Sequence, residues 1–292
     1  MRPRLKHIRH PIDSAKSLGQ RLRQAALDRL VERLLGSIRR DERDRCWCGG
    51  ALDDCRWQPQ YGVCVECGCY VNRQPPRLSE FNKLYGLYWG LMARARGWPP
   101  MHKRAAMYEA DGRLGHWLQL VAKHGPPTGT VVEVGCAPGI LLHELQSRGY
   151  QCAGVEVNAK AARWIRKHMG VDVRDGLFPS PDLQLPKCDL FVGLDVLEHV
   201  PAPDAFLREA QQLLNPGGVA IIQAPIDRHR REPPFGNETH AALDGTEHLF
   251  VFVDEAMARL GAAAGLELVS LDEEPWAMRH EVCIYRKPAR DA

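Results

Sequence analysis

Two hydrophobic rhythms divide the chain. From Ser14 onward, Leu18, Leu22, Ala26, Leu30 and Leu34 recur every fourth residue, with Leu27, Val31 and Leu35 beside them. This spacing predicts one helix with a single apolar stripe, closed by Gly36 and rich in arginine on its other face. From Thr128 the rhythm changes to short apolar runs alternating with helical stretches. Strands are predicted at 130–134, 152–157, 171–173, 190–195 and 219–224, and helices at 140–148, 159–169 and 205–214. Alternation on this scale requires βαβ crossovers, and so an α/β fold: a doubly wound, mostly parallel sheet with helices on both faces.

Between the two rhythms lie three breaks. Gln74-Pro75-Pro76 closes a cysteine-rich stretch, Pro99-Pro100 closes an aromatic one (Phe81, Tyr85, Tyr88, Trp89, Trp98), and Gly125-Pro126-Pro127 follows a polar helical run at 103–124. Such punctuation divides the chain into a basic helical arm (1–45), a cysteine-rich segment (46–76), a helical, aromatic-rich linker or lid (77–127) and a main domain (128–292).

Composition then narrows the function classes. Hydrophobic residues are 45% and charged residues 26% of 292, which is ordinary globular usage and argues against disorder or low complexity. No apolar run approaches the ~20 residues needed to cross a bilayer. Residues 1–40 hold eleven Lys and Arg against three Asp and Glu, a surplus of eight in a chain whose total is +3, so the rest is net acidic. The arm has two readings: a helix that touches a membrane surface or nucleic acid, or one whose stripe packs on its own domain or a partner chain, with the arginines in solvent. The packing reading is favoured, because the stripe lacks interfacial Trp or Phe. The start of the chain lacks the apolar stretch and cleavage site of a secretory signal, so a cytoplasmic protein is expected.

Val131-Val132-Glu133-Val134-Gly135-Cys136-Ala137-Pro138-Gly139 is a strand running through a small-residue turn into a helix. At the carboxyl end of a first strand such a turn borders the ligand crevice, where glycine lets the backbone approach the ligand. A dinucleotide site would carry the spacing G-x-G-x-x-G, but Ala137 stands between Gly135 and Gly139. Glu133 would repel a pyrophosphate and suits a cationic ligand. Glu156 ends the second strand where an acid can accept both hydroxyls of a ribose. Together with Leu194-Asp195-Val196-Leu197-Glu198-His199-Val200 and Leu214-Asn215-Pro216-Gly217-Gly218, these residues resemble class I S-adenosylmethionine-dependent methyltransferases of the small-molecule type, over roughly 128–288. The resemblance implies a seven-stranded, Rossmann-like sheet. It also implies S-adenosylmethionine on Glu133, Gly135, Cys136, Ala137, Gly139, Glu156, Asp175 and Asp195, with Asp175 toward the adenine. Asp195 to His199 would border the methyl group and the acceptor.

Methyl transfer needs alignment above all, and a base where the acceptor is a hydroxyl or a carbon acid. His199 and the pair Glu247-His248 are the candidates, with His240 weaker; each histidine can equally be a structural group bonding loop backbone. Glu247-His248 resembles an acid–histidine pair in methyltransferases of nucleotide-linked sugars, which also carry an N-terminal zinc segment. There a tyrosine accompanies the pair, whereas here Asp244-Gly245-Thr246 precedes it.

Six of the ten cysteines fall within 24 residues. Cys46-Trp47-Cys48 and Cys64-Val65-Glu66-Cys67, each followed by glycine and separated by 15 residues, suit two knuckles converging on a structural Zn²⁺. The tight first pair leaves Cys55 or Cys69 as substitute ligands. Such a ribbon would dock over the acceptor pocket, with the aromatics from Phe81 to Trp89 as pocket wall or ordinary packing.

The expected activity is methyl transfer to a small molecule: a sugar, glycan precursor or secondary metabolite, at oxygen or carbon. An RNA methyltransferase and a non-catalytic scaffold on the same fold are the alternatives. Nucleic acid is disfavoured because the catalytic part is net acidic and its loop reads Asp195-Val196-Leu197-Glu198 in place of the Pro-Pro-aromatic loop of base-amino methylation. A homo-oligomer is compatible with the sequence.

Overall fold

The computed structural model of the chain describes residues 18–56, 58–87, 90–91, 99–227, 243, 247–273 and 280–289. The expectations for Ser14, Tyr88, Trp89, Trp98, His240 and Asp244-Gly245-Thr246 fall outside those residues, as does the side chain of Leu18.

The arm forms helix α1 (Leu18–Leu35). Its last turns bury Val31 and Leu35 against Ile38 and Leu84, while Leu22 and Leu30 stay exposed. Part of the stripe therefore packs on the chain itself, against α2 (Phe81–Leu87). The cysteine-rich segment folds as an antiparallel meander of β1 (Leu52–Asp54), β2 (Tyr61–Cys64) and β3 (Tyr70–Asn72). Two helices follow, α3 (Met101–Ala110) and α4 (Arg113–His124), parted by Gly112 in the left-handed region at φ 88°. The single helical run read at 103–124 thus breaks where only glycine is comfortable.

The main domain continues as β4 (Thr130–Val134), α5 (Ile140–Ser147), β5 (Gln151–Glu156), α6 (Ala159–Met169), β6 (Asp172–Asp175), β7 (Cys188–Leu194), α7 (Pro203–Leu213), β8 (Leu214–Pro225), β9 (Phe250–Val251), α8 (Asp254–Ala263), β10 (Glu267–Glu273) and β11 (His280–Arg286). Seven of these strands form one sheet in the order β10-β11-β8-β7-β4-β5-β6, with β11 antiparallel to both its neighbours and the other pairings parallel. Helix α6 is capped by Asn158, whose side chain accepts from the Lys160 and Ala161 N–H groups, and ends on Gly170 at φ 67°. The turn Asn215-Pro216-Gly217-Gly218 bulges out between two paired stretches of β7 and β8, so β8 starts earlier than its apolar run.

Alternate residues of β4 face opposite sides, and each side has its own core. Val132 and Val134 join Phe178, Phe191, Phe206 and the apolar faces of α7 and α8. Val131 joins Leu141, Leu142, Ile165 and, from α4, Leu114, Trp117, Leu120 and Val121. Helix α4 is therefore part of the layer covering the sheet. Strand β9 does the converse: it leaves the main sheet and adds a fourth strand to the meander, Tyr70 opposite Val251 and Val71 opposite Phe250. Among the described residues, no helix is long and apolar enough to cross a membrane.

Candidate functional site

Strand order reverses around β4, which has β5 on one side and β7 on the other. In such sheets the carboxyl ends of the strands at the reversal open a crevice. Gly135 and Gly139 frame the loop there at φ 73° and 86°. A Cβ on Gly135 would collide with Val196 Cγ2, and one on Gly139 with Ile165 Cγ2. The loop thus lies directly against the segment that follows β7. It is tied to β5 as well, since the Gly135 and Cys136 N–H groups donate to Val155 O at 2.8 and 3.2 Å.

Two carboxylates are buried at this crevice. Glu156 Oε1 accepts from the Asn158 N–H at 2.9 Å, and the Ala137 N–H also donates to its carboxylate. Burial still outweighs those bonds and pushes the Glu156 carboxyl up to about 7. Burial, with the Glu156 charge nearby, raises Glu133 to about 8, and its Oε2 has no hydrogen-bond partner. An orphaned acid beside a glycine cradle is ready for a ligand that brings positive charge and hydroxyl donors. S-adenosylmethionine, with ammonium, sulfonium and ribose diol, fits that set.

The remaining cofactor expectations are placed unequally. The Cys136 thiol turns into the core, where a Cβ on Gly154 would lie 2.7 Å from its Sγ, so only the Cys136 backbone can face a ligand. Ala137 is half-buried in the loop. Asp175 ends β6 in register with Glu156 and sits 3.5 Å from the Arg166 guanidinium. Asp195, at the end of β7, takes a left-handed φ of 54°. Its Oδ1 accepts from Gln223 Nε2 at 2.9 Å, and Gln223 Oε1 accepts from Trp117 Nε1 at 3.1 Å. Sequence reading passed over Trp117 and Gln223, whose only signal was a polar Gln in the apolar run of β8.

After Asp195 a short 3₁₀ turn, Leu197–His199, points Glu198 into the protein at 0% exposure. His199 Nε2 lies 3.7 Å from Glu198 Oε1, and His199 Nδ1 lies 3.0 Å from the carbonyl of Glu247. A carbonyl only accepts, so Nδ1 carries a proton in this bond. The His199 and His248 rings are 4.8 Å apart. Glu247 is itself buried and meets His199 through its backbone. Tyr85 stands edge-on to His199 at 6.2 Å, and its carbonyl accepts from Asn158 Nδ2 at 3.3 Å, which spans the distance from the ribose-type acid to the histidines.

The cysteine segment grips this same place. Tyr61 Oη and Asn72 Nδ2 donate to the His248 carbonyl at 2.7 and 3.2 Å, and the Asn72 N–H donates to Leu249 O at 2.9 Å. From the other side the Leu249 N–H donates to Glu198 O at 2.7 Å. Within the segment, the sulfurs of Cys46, Cys48, Cys64 and Cys67 all lie within 4.8 Å of one another, with Cys46–Cys67 and Cys48–Cys64 at 3.5 Å. Sulfurs bound at ~2.3 Å to one tetrahedral ion stand ~3.8 Å apart, so this set fits Zn²⁺. Backbone N–H groups of Cys48, Gly50 and Cys69 donate to the sulfurs of Cys46, Cys48 and Cys67. Cys55 lies elsewhere, packed with Tyr61 and Leu243.

Against known proteins, the family profile described as a methyltransferase domain matches residues 106–271, more than half of the chain. The ubiquinone biosynthesis O-methyltransferase of Psychrobacter cryohalolentis is 27% identical over 70% of this chain and 82% of its own length. The enzyme of the same name from Azoarcus is 28% identical over 69% and 86%. Among solved structures, a chain of the complex between the Haloferax volcanii Trm112 methyltransferase activator and a methyltransferase superposes with TM-score 0.51 at 16% identity, covering 66% of this chain and 97% of that one. That likeness concerns the fold. The profile's start at 106 agrees with α4 packing on the sheet.

Proposed function

This chain belongs to the methyltransferase-domain family and is an S-adenosylmethionine-dependent enzyme, and from that premise we propose that it methylates a hydroxyl oxygen of a small molecule. The observation that carries the reading is the run of contacts from Glu156 and Asn158 through Tyr85 to His199 and His248. The curated relatives are named for O-methylation, and the paired rings of His199 and His248 are groups that can take a hydroxyl proton.

When bound, S-adenosylmethionine supplies a methyl group made electrophilic by its sulfonium. Glu133 would hold the amino end, Gly135 and Gly139 would let the loop close under it, and Glu156 would take the ribose hydroxyls. Asp195, fixed by Gln223 and Trp117, would border the methyl group. The buried surroundings of Tyr85 and Glu198 would exclude water, and the His199–His248 cluster would receive the acceptor hydroxyl and ease loss of its proton. Alignment is the main contribution, since a displacement that consumes charge gains most from an ordered, dry encounter. The zinc segment carries no chemistry in this reading. It holds the backbone of His248.

The test is calorimetric titration with S-adenosylmethionine, followed by a screen of phenol and sugar acceptors for release of S-adenosylhomocysteine. Heat on titration and turnover of a hydroxylated acceptor are expected. Absence of that heat, or NAD binding in its place, would overturn the assignment.

A further inference from the structure

We propose that the outward face of α1 is a docking surface for an anionic lipid membrane. The inference goes beyond methyl transfer, and it concerns a helix outside residues 106–271, the part of the chain matched by the family profile.

The helix has two unlike apolar faces. Val31 and Leu35 are buried against Ile38 and Leu84, which accounts for one of them. Leu22, Ala26 and Leu30 recur at every fourth position and so form a row on the other. That row is open to solvent: Leu22 is 61% and Leu30 44% exposed, and Ala26 is exposed between them. Arg23, Arg29 and Arg33 are exposed as well. Each stands three residues from one member of the row and seven from another, and is therefore beside it. Asp28 and Glu32, the acids of the helix, are two and six residues from members of the row, offsets that turn them away from it.

Charge complementarity selects the occupant. Leucines flanked by arginines, with the acids turned aside, match a surface that is negative at its headgroups and apolar beneath them. A second copy of the chain would set arginine against arginine in a twofold contact, and a nucleic-acid backbone would leave the leucines without a use. The sequence just before the helix adds Arg2, Arg4, Lys6, Arg9 and Lys16 against Asp13 alone. Because the row holds neither Trp nor Phe, apolar burial by itself is weak and the arginines supply the rest. Attachment is therefore reversible and requires anionic lipid.

The experiment is flotation of the full chain with vesicles of phosphatidylcholine, alone or mixed with phosphatidylglycerol. Three proteins are compared: wild type, Leu22→Ser with Leu30→Ser, and Arg23→Glu with Arg29→Glu and Arg33→Glu. Wild type is expected to float with the mixed vesicles, to stay behind with phosphatidylcholine alone, and to detach as salt is raised. The leucine variant should bind mixed vesicles at least about tenfold more weakly, and the arginine variant should not float. Thermal unfolding should be unchanged in both variants, because the substituted side chains lie outside the packed face. A wild type that fails to float, or binding that survives the leucine substitutions, would overturn the surface. So would a wild-type dimer in sedimentation that the leucine substitutions dissociate, or RNA binding in preference to the mixed vesicles.

Discussion

At the scale of single residues, the two raised carboxyls make a signed prediction. An unfolded chain gives up glutamate protons near 4.5, whereas the folded one keeps them to about 8 at Glu133 and about 7 at Glu156. The native state therefore binds more protons across that window, and stability of the ligand-free protein should fall as pH rises through it. A cationic ligand favours the ionised acids, so S-adenosylmethionine should bind more tightly as pH rises from roughly 6 to 8 and should release protons on binding. Calorimetry in two buffers of different ionisation enthalpy measures both; an affinity flat over that range would contradict the role given to these acids. Glu156→Ala removes an acceptor of charge-assisted hydrogen bonds worth ~1.5–3 kcal/mol each, so donor affinity should drop at least tenfold. Gly135→Ala meets both a left-handed φ and the Val196 side chain, and a loss of about 1–3 kcal/mol in thermal unfolding is expected.

At the scale of elements, α4 and β8 cooperate to aim a loop. Trp117 on α4 holds Gln223 on β8, which holds Asp195 in a backbone conformation that non-glycine residues rarely adopt. Trp117→Phe keeps most of the packing but leaves the Gln223 carbonyl oxygen without its buried donor, at a cost of about 1–3 kcal/mol. Turnover at saturating acceptor should fall with it, and Gln223→Leu should reproduce the effect; unchanged kinetics in both would show that Asp195 needs no such support. These elements were legible from sequence while their cooperation was not. Strand and helix periods are local, so 159–169 was read to the residue and the glycine loop was found from spacing. The Trp117–Gln223 bond joins residues 106 positions apart, and no local pattern announces it.

At the scale of the whole molecule, the cysteine segment and the catalytic domain share a sheet. Because β9 completes the meander, and Tyr61 and Asn72 hold His248, unfolding the cysteine cluster should disorder the surroundings of His248 while sparing the glycine loop and its two acids. Cys64→Ser is expected to abolish zinc binding by the cysteine set and lower turnover strongly, with S-adenosylmethionine binding nearly unchanged by calorimetry. Equal loss of both would mean that the segment supports the entire fold. The boundary expected at 128 likewise fades, since the Pro- and Gly-rich punctuation marks a turn while the apolar face of α4 lies in the same core as β4. What the sequence determined by itself is what spacing can encode: the α/β alternation, the glycine loop between two acids, the paired cysteines and the two candidate histidines. Only the tertiary structure decided which of these meet. It placed the Cys136 thiol in the core, and it joined Glu198 and His199 to His248 through a strand lent to the neighbouring sheet. The reason is physical: period and turn chemistry act over a few residues, whereas a site assembled at the ends of parallel strands depends on how crossovers fold those residues back together.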